Sequence, residues 1–132
     1  MKLDHIGIAV ESIDKAKTFY EELGLSLRAE EEVSEQKVRV AVIPIGESRI
    51  ELLETLDPEG PVGKFLAKKG QGLHHIAVRV DDIRDAIGRL KARGIEMIDG
   101  EPRRGAEGCL VAFVHPRSTG GVLLELTEKN DE

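Results

Sequence analysis

Cysteine, aromatic residues and long apolar runs are all scarce in this chain of 132 residues. Cys109 is the single cysteine, so no intrachain disulfide can form, no CxxC spacing exists, and a reducing cytoplasm is the expected setting. Tryptophan is absent, and three Phe with one Tyr offer few stacking platforms. Positive charge is also short, with 19 Lys and Arg against 25 Asp and Glu and a net charge of −6. Both shortages count against a nucleic-acid partner, which needs basic surface and rings to stack on. No apolar run approaches the roughly 20 residues that cross a bilayer. Asp4, His5 and Glu11 stand where a signal peptide would carry its apolar segment. The expectation is a soluble, unprocessed protein with no membrane partner.

What the chain does have is an internal repeat. Leu3-Asp4-His5-Ile6-Gly7-Ile8-Ala9-Val10 matches Leu73-His74-His75-Ile76-Ala77-Val78-Arg79-Val80 at a constant separation of 70 residues. The same separation relates Ile13 to Ile83, Ala16 to Ala86 and Gly24 to Gly94. Further on, Ile50-Glu51-Leu52-Leu53-Glu54 matches Leu124-Glu125-Leu126-Thr127-Glu128 at a separation of 74, a drift of four residues that one loop explains. A strand, a helix and the glycine that ends the helix have been copied together.

Ile6, Ile8 and Val10 alternate with His5, Gly7 and Ala9, the period-2 pattern of a strand with one apolar face. Ile13, Ala16, Phe19, Tyr20 and Leu23 then recur at helical spacing, with Ser12 or its neighbour as the cap and Gly24 as a left-handed stop. Ile83, Ala86, Ile87, Leu90 and Gly94 repeat this in the second half. Strands are predicted at 25–28, 38–45 and 48–53, and again at 95–98, 110–114 and 122–126, with residues 30–35 and 100–108 as loops. Each half reads β-α-β-β-β. The fold class is α+β: two tandem βαβββ modules, 1–57 and 73–128, making one domain of curved mixed sheet. A connector at 58–72 carries a short helix over 62–69, and the tail 129–132 should fray.

The duplication has a chemical consequence. His5 corresponds to His75, and Glu51 to Glu125. Strand alternation turns Ile6, Ile8, Ile76 and Val78 toward the helices and both histidines to the opposite, concave face. Glu51 and Glu125 leave the face of their apolar neighbours in the same way, and small Gly7, Ala9 and Ala77 leave room beside the histidines. Two carboxylates on a buried sheet face are costly unless a cation compensates them. Two imidazole nitrogens and two carboxylate oxygens suit a divalent ion such as Co²⁺, Ni²⁺, Mn²⁺, Fe²⁺ or Zn²⁺. His74 aligns with Asp4 and is assigned a structural role. His115 is a turn residue near the mouth of the site, and Cys109 a small core or loop residue.

The segments LDHIGIAV, FYEELG, IELLE, VGKFLAKKGQGLHHIAVRVDDI and EPRRGAEGCLVAFVHPRSTGGVLLELTE together resemble the vicinal oxygen chelate superfamily of glyoxalase-like proteins, and within it the methylmalonyl-CoA epimerases. The resemblance covers nearly the whole chain. It implies two modules edge to edge around one cup-shaped site, a homodimer, a CoA thioester substrate, and a metal held by His5, Glu51, His75 and Glu125. The implied reaction is epimerisation of methylmalonyl-CoA by α-proton transfer through an enolate, with Glu51 and Glu125 as proton carriers. A glutamate that some epimerases carry on the strand after the Glu-Gln element falls here at Val40. Arg103, Arg104, Arg117 and Lys68 are the candidates for holding the phosphates of CoA. Glyoxalase I, which the His/Glu/His/Glu set resembles, is the alternative enzyme, and a non-catalytic small-molecule-binding protein of the same fold the alternative class. A ring-cleaving dioxygenase would use two histidines and one carboxylate on iron, so the fourth ligand counts against it.

Overall fold

A computed structural model describes residues 1–129, so Asn130, Asp131 and Glu132, the end of the tail expected to fray, lie outside the described residues. The elements run β1 (Lys2–Ala9), α1 (Ile13–Glu22), β2 (Ala29–Val33), β3 (Val38–Ile45), β4 (Ser48–Thr55), α2 (Pro61–Lys69), β5 (Gly72–Arg79), α3 (Ile83–Ala92), β6 (Arg103–Arg104), β7 (Leu110–Val114) and β8 (Leu124–Glu128). This is the α+β class read from the repeat: βαβββ, a linking helix, βαβββ. No helix among the described residues is long and apolar enough to cross a membrane.

The chain forms two compact units, one of residues 5–74 and one of residues 1–4 with 75 onward. In the first, the strand order is β2-β3-β4-β1, with β1 parallel to β4 and the other pairs antiparallel. Ile8 and Ile50 join Val10, Ile13, Ala41, Ile43 and Leu52 in a core beneath α1. Burying each of these larger side chains contributes about 2 kcal/mol. Helix α1 starts where the Ser12 side chain accepts a hydrogen bond from the Lys15 N–H, and stops before Gly24, whose φ of +105° is open to glycine at little cost.

In the second unit the order is β5-β8-β7-β6, with β5 parallel to β8. Val80, Ile83, Ala86, Ile87, Ala112, Val114 and Leu126 form its core, and Asp82 caps α3 by accepting from the Asp85 N–H. Asp4 belongs to this unit through Arg79, whose Nε and Nη2 donate to its Oδ1 at 2.9 and 2.6 Å.

Three strands depart from the sequence reading. The second strand is not 25–28 but Ala29–Val33, within the segment expected to be a loop. Leu25 and Leu27 are apolar because they pack onto the α1 core from an extended connection, and the Leu25 N–H closes the helix end on the Tyr20 carbonyl. The glutamates that suggested a loop are tolerated because β2 pairs on one side only, leaving Glu30 and Glu32 exposed, and Glu32 meets Arg39 on β3 at 3.3 Å. In the second module 95–98 forms only a bridge from Met97 to Val114, because the Asp99 carboxylate takes the Phe113 N–H in place of a backbone partner. The ladder resumes at Arg103–Arg104, inside the other segment expected to be a loop. The last strand begins at Leu124 rather than 122 and runs on to Glu128.

Candidate functional site

In the first unit, parallel pairing of β1 with β4 sets His5 beside Arg49 and Gly7 beside Glu51. Residues opposite one another on adjacent strands share a face, so His5, Arg49 and Glu51 lie on the side away from the α1 core. Gly7 has no side chain to crowd them. His5 Nδ1 stands 3.3 Å from Glu51 Oε2, and Arg49 Nη2 stands 3.1 Å from that oxygen and 3.4 Å from that nitrogen. His5 is 3% and Glu51 4% exposed. Val42 pairs with Glu51 and Val40 with Leu53, so this face continues as buried apolar wall, including the position where the resemblance would place a glutamate.

The second unit holds the copied pair. Glu125 on β8 lies between Ala77 on β5 and Phe113 on β7, and His75 is two residues before Ala77 on the same face. His75 Nε2 is 3.2 Å from Glu125 Oε1, with both side chains only 5% exposed. The ring of Phe113 meets the His75 imidazole edge to face at 5.5 Å, which limits its rotation. The copies differ in atomic detail: His5 turns Nδ1 to its glutamate, whereas His75 turns Nε2.

The donor chemistry of both pairs fits a divalent ion of borderline hardness. Each offers one imidazole nitrogen and one carboxylate oxygen, withdrawn from water, and a buried carboxylate needs a positive partner. His5 with Glu51 and His75 with Glu125 are the residues that could hold such an ion.

The basic residues expected at CoA are dispersed. Arg103 pairs with Val111, on the face that carries Phe113 and Glu125, and its Nε is 3.0 Å from Asp99. Arg104 pairs with Leu110 and so takes the opposite face. Arg117 is exposed and meets Glu96 at 3.2 Å, and Lys68 is in the last turn of α2. His74 packs edge to face on Phe65 at 5.0 Å. His115 ends β7 and accepts a hydrogen bond from the Arg117 N–H.

Sequence reasoning missed Arg49, although the signal was present: two residues before Glu51 on a strand must mean the same face. It also missed the Asp4–Arg79 pair. The clue there was that both break the repeat, Asp4 standing against His74 and Arg79 against Ala9.

Comparison with known proteins now bears on this geometry. The family model described as Glyoxalase/Bleomycin resistance protein/Dioxygenase superfamily matches residues 4–113. The uncharacterized protein YqjC of Bacillus subtilis is 49% identical over 99% of this chain and 95% of its own. The ethylmalonyl-CoA/methylmalonyl-CoA epimerase of Cereibacter sphaeroides is 37% identical, covering 96% of this chain and 97% of its own. A variant of Streptomyces coelicolor methylmalonyl-CoA epimerase, solved in complex with 2-nitronate-propionyl-CoA, superposes with a TM-score of 0.96 at 36% identity, over 99% of this chain and 96% of its own.

Proposed function

The chain belongs to the Glyoxalase/Bleomycin resistance protein/Dioxygenase superfamily, and from that premise we propose that it is a metal-dependent epimerase interconverting (2R)- and (2S)-methylmalonyl-CoA. The observation that carries the reading is the buried histidine–glutamate pair found in each module at repeat-equivalent positions, His5–Glu51 and His75–Glu125. The epimerase names and the CoA-thioester complex among its relatives support the substrate class.

His5, Glu51, His75 and Glu125 are the residues that would hold the metal, with Co²⁺ as the first choice and Ni²⁺, Mn²⁺ or Zn²⁺ as alternatives. The bound ion supplies Lewis-acid stabilisation of the charge that develops on the thioester oxygen. The chain's own residues do the rest. The two imidazoles would each offer a ring nitrogen, and Phe113 keeps the His75 ring in its orientation. The carbon to be inverted lies between a thioester and a carboxylate, so its proton is acidified and comes within the reach of a carboxylate base. Inversion requires removal on one side and return on the other. One glutamate per module, Glu51 and Glu125, meets that need. The buried wall of Val40 and Val42 excludes water, which protects the enolate from unspecific protonation.

Arg103 is the leading contact for the CoA phosphates because it shares the face of Phe113 and Glu125, with Arg104, Arg117 and Lys68 as further candidates. The working unit is a homodimer, as the resemblance implies, and light scattering checks it.

The deciding experiment incubates metal-loaded protein with either epimer of methylmalonyl-CoA in deuterated water, beside a methylglyoxal–glutathione adduct. Deuterium entering the 2-position of the thioester alone is the expected result. Turnover of the adduct alone overturns the proposal in favour of a glyoxalase I activity.

A further inference from the structure

Arg49 stands beside the first histidine–glutamate pair, and the duplication did not copy its charge: Leu123 stands two residues before Glu125, where Arg49 stands before Glu51. Its side chain is 11% exposed. A single nitrogen, Nη2, lies 3.1 Å from Glu51 Oε2 and 3.4 Å from His5 Nδ1, and those two atoms are themselves 3.3 Å apart. A single nitrogen therefore stands beside one potential donor atom of each residue that this module would offer to a metal. Cross-strand pairing of His5 with Arg49 holds it there.

We propose that Arg49 is a built-in competitor of the metal: its guanidinium neutralises the first module's carboxylate through the same two atoms, and must withdraw for a divalent ion to bind. The inference rests on the metal reading of the preceding section and extends it to the regulation of that site. A guanidinium cannot lose its proton at working pH, so it can yield only by moving. Two positive charges a few ångströms apart in a poorly solvated place repel strongly enough to cost well over a factor of ten in binding, and withdrawal of the side chain relieves only part of this. Arg49 thus keeps Glu51 compensated while the site holds no metal, at the expense of affinity. The second module has Leu123 at the matching position, so the arginine itself was not duplicated with the ligand set.

The test measures binding of Co²⁺ to chelator-stripped wild-type, R49Q and R49K proteins by competition with a metallochromic chelator, together with melting temperatures with and without Co²⁺. R49Q is expected to bind Co²⁺ at least about tenfold more tightly, and R49K, which keeps the charge, to stay within about threefold of wild type. Metal-free R49Q should melt lower than metal-free wild type, and saturating Co²⁺ should close the gap. A residue with a purely structural role would lower both melting temperatures and leave affinity unchanged or weaker. Equal or weaker binding by R49Q overturns the proposal alone. Absence of Co²⁺ uptake by every protein overturns it together with the metal reading. A second measurement uses only wild-type protein: Zn²⁺ titration followed by ¹⁵N NMR of the guanidinium groups. Faster exchange of the Arg49 N–H protons with water is expected as Zn²⁺ binds, and unchanged exchange counts decisively against displacement.

Discussion

Glu54 reaches from the end of β4 to accept a hydrogen bond from the Ile13 N–H at 2.8 Å, and Glu128 does the same from the end of β8 to the Ile83 N–H at 2.9 Å. In each module a carboxylate on the last strand satisfies an otherwise unpaired donor in the first turn of the helix and sits at its positive end. Helix position is thereby tied to the strand that carries the glutamate of the site. E54A and E128A should each cost about 1 kcal/mol. The two losses should be nearly additive in urea unfolding, because the caps share no partner. A double variant no less stable than either single one would show that the caps do not act in this way.

Removing the partner of a buried charge should hurt more than removing the pair. Asp4 is 1% exposed and bonded by two nitrogens of Arg79. R79M should lower stability by about 2–3 kcal/mol, below the usual cost of stripping a buried ion because Arg79 keeps some contact with water. Adding D4N should recover part of that loss, and a double variant less stable than R79M would contradict the account.

Helix α2 passes so close to its own approach segment that a methyl group has no place at Gly63. A Cβ there would lie 2.5 Å from the Pro58 carbonyl oxygen and 2.6 Å from that of Asp57. G63A should cost about 1–3 kcal/mol through forced backbone movement, despite alanine's better helix propensity. Thermal melting settles the sign.

Asp57 gives a pH signature. The Glu59 backbone N–H, at 2.9 Å, and then the Lys37 ammonium, at 3.3 Å, hold its carboxyl below the ordinary carboxylate range. A group with a lowered folded value stabilises at pH above its unfolded value, near 4, and loses that contribution as pH falls through the folded value. The melting temperature of D57N should lie below that of wild type at neutral pH, and the difference should shrink only on acidification below about pH 4. A difference that grows in acid would reverse the assignment.

Each carboxylate of the proposed ligand set is testable by itself. E51Q and E125Q should each lower metal affinity by at least about tenfold and suppress deuterium exchange at the substrate's 2-position. Variants that keep both metal and full exchange would remove these residues from the mechanism.

The two histidine–glutamate pairs were more legible than the strands around them. A separation of 70 residues picks out His5 with His75, and one of 74 picks out Glu51 with Glu125; period-2 alternation then predicts the face each takes. Duplication made the signal redundant. The strand at Ala29–Val33 was hidden because an edge strand needs few apolar residues, so its glutamates look like a loop. Arg103–Arg104 was hidden because two paired residues carry no period. Asp4 and Arg79 are 75 residues apart, and nothing in either local pattern announces the other. Arg49 is within reach of the same alternation, since on a strand that begins at Ser48 it stands two residues before Glu51 and takes the glutamate's face.

The outermost strand of the first unit carries Glu30, Glu31 and Glu32 in succession, with Val42 to Val38 already occupying its inner side. Its outer row of amide and carbonyl groups would otherwise be a template for another chain. Two copies meeting there would bring six like charges within a few ångströms, a repulsion that no gain in backbone hydrogen bonding offsets in water. Replacing those acids with Thr or Val would keep the strand but remove its defence against polymerising sheet to sheet.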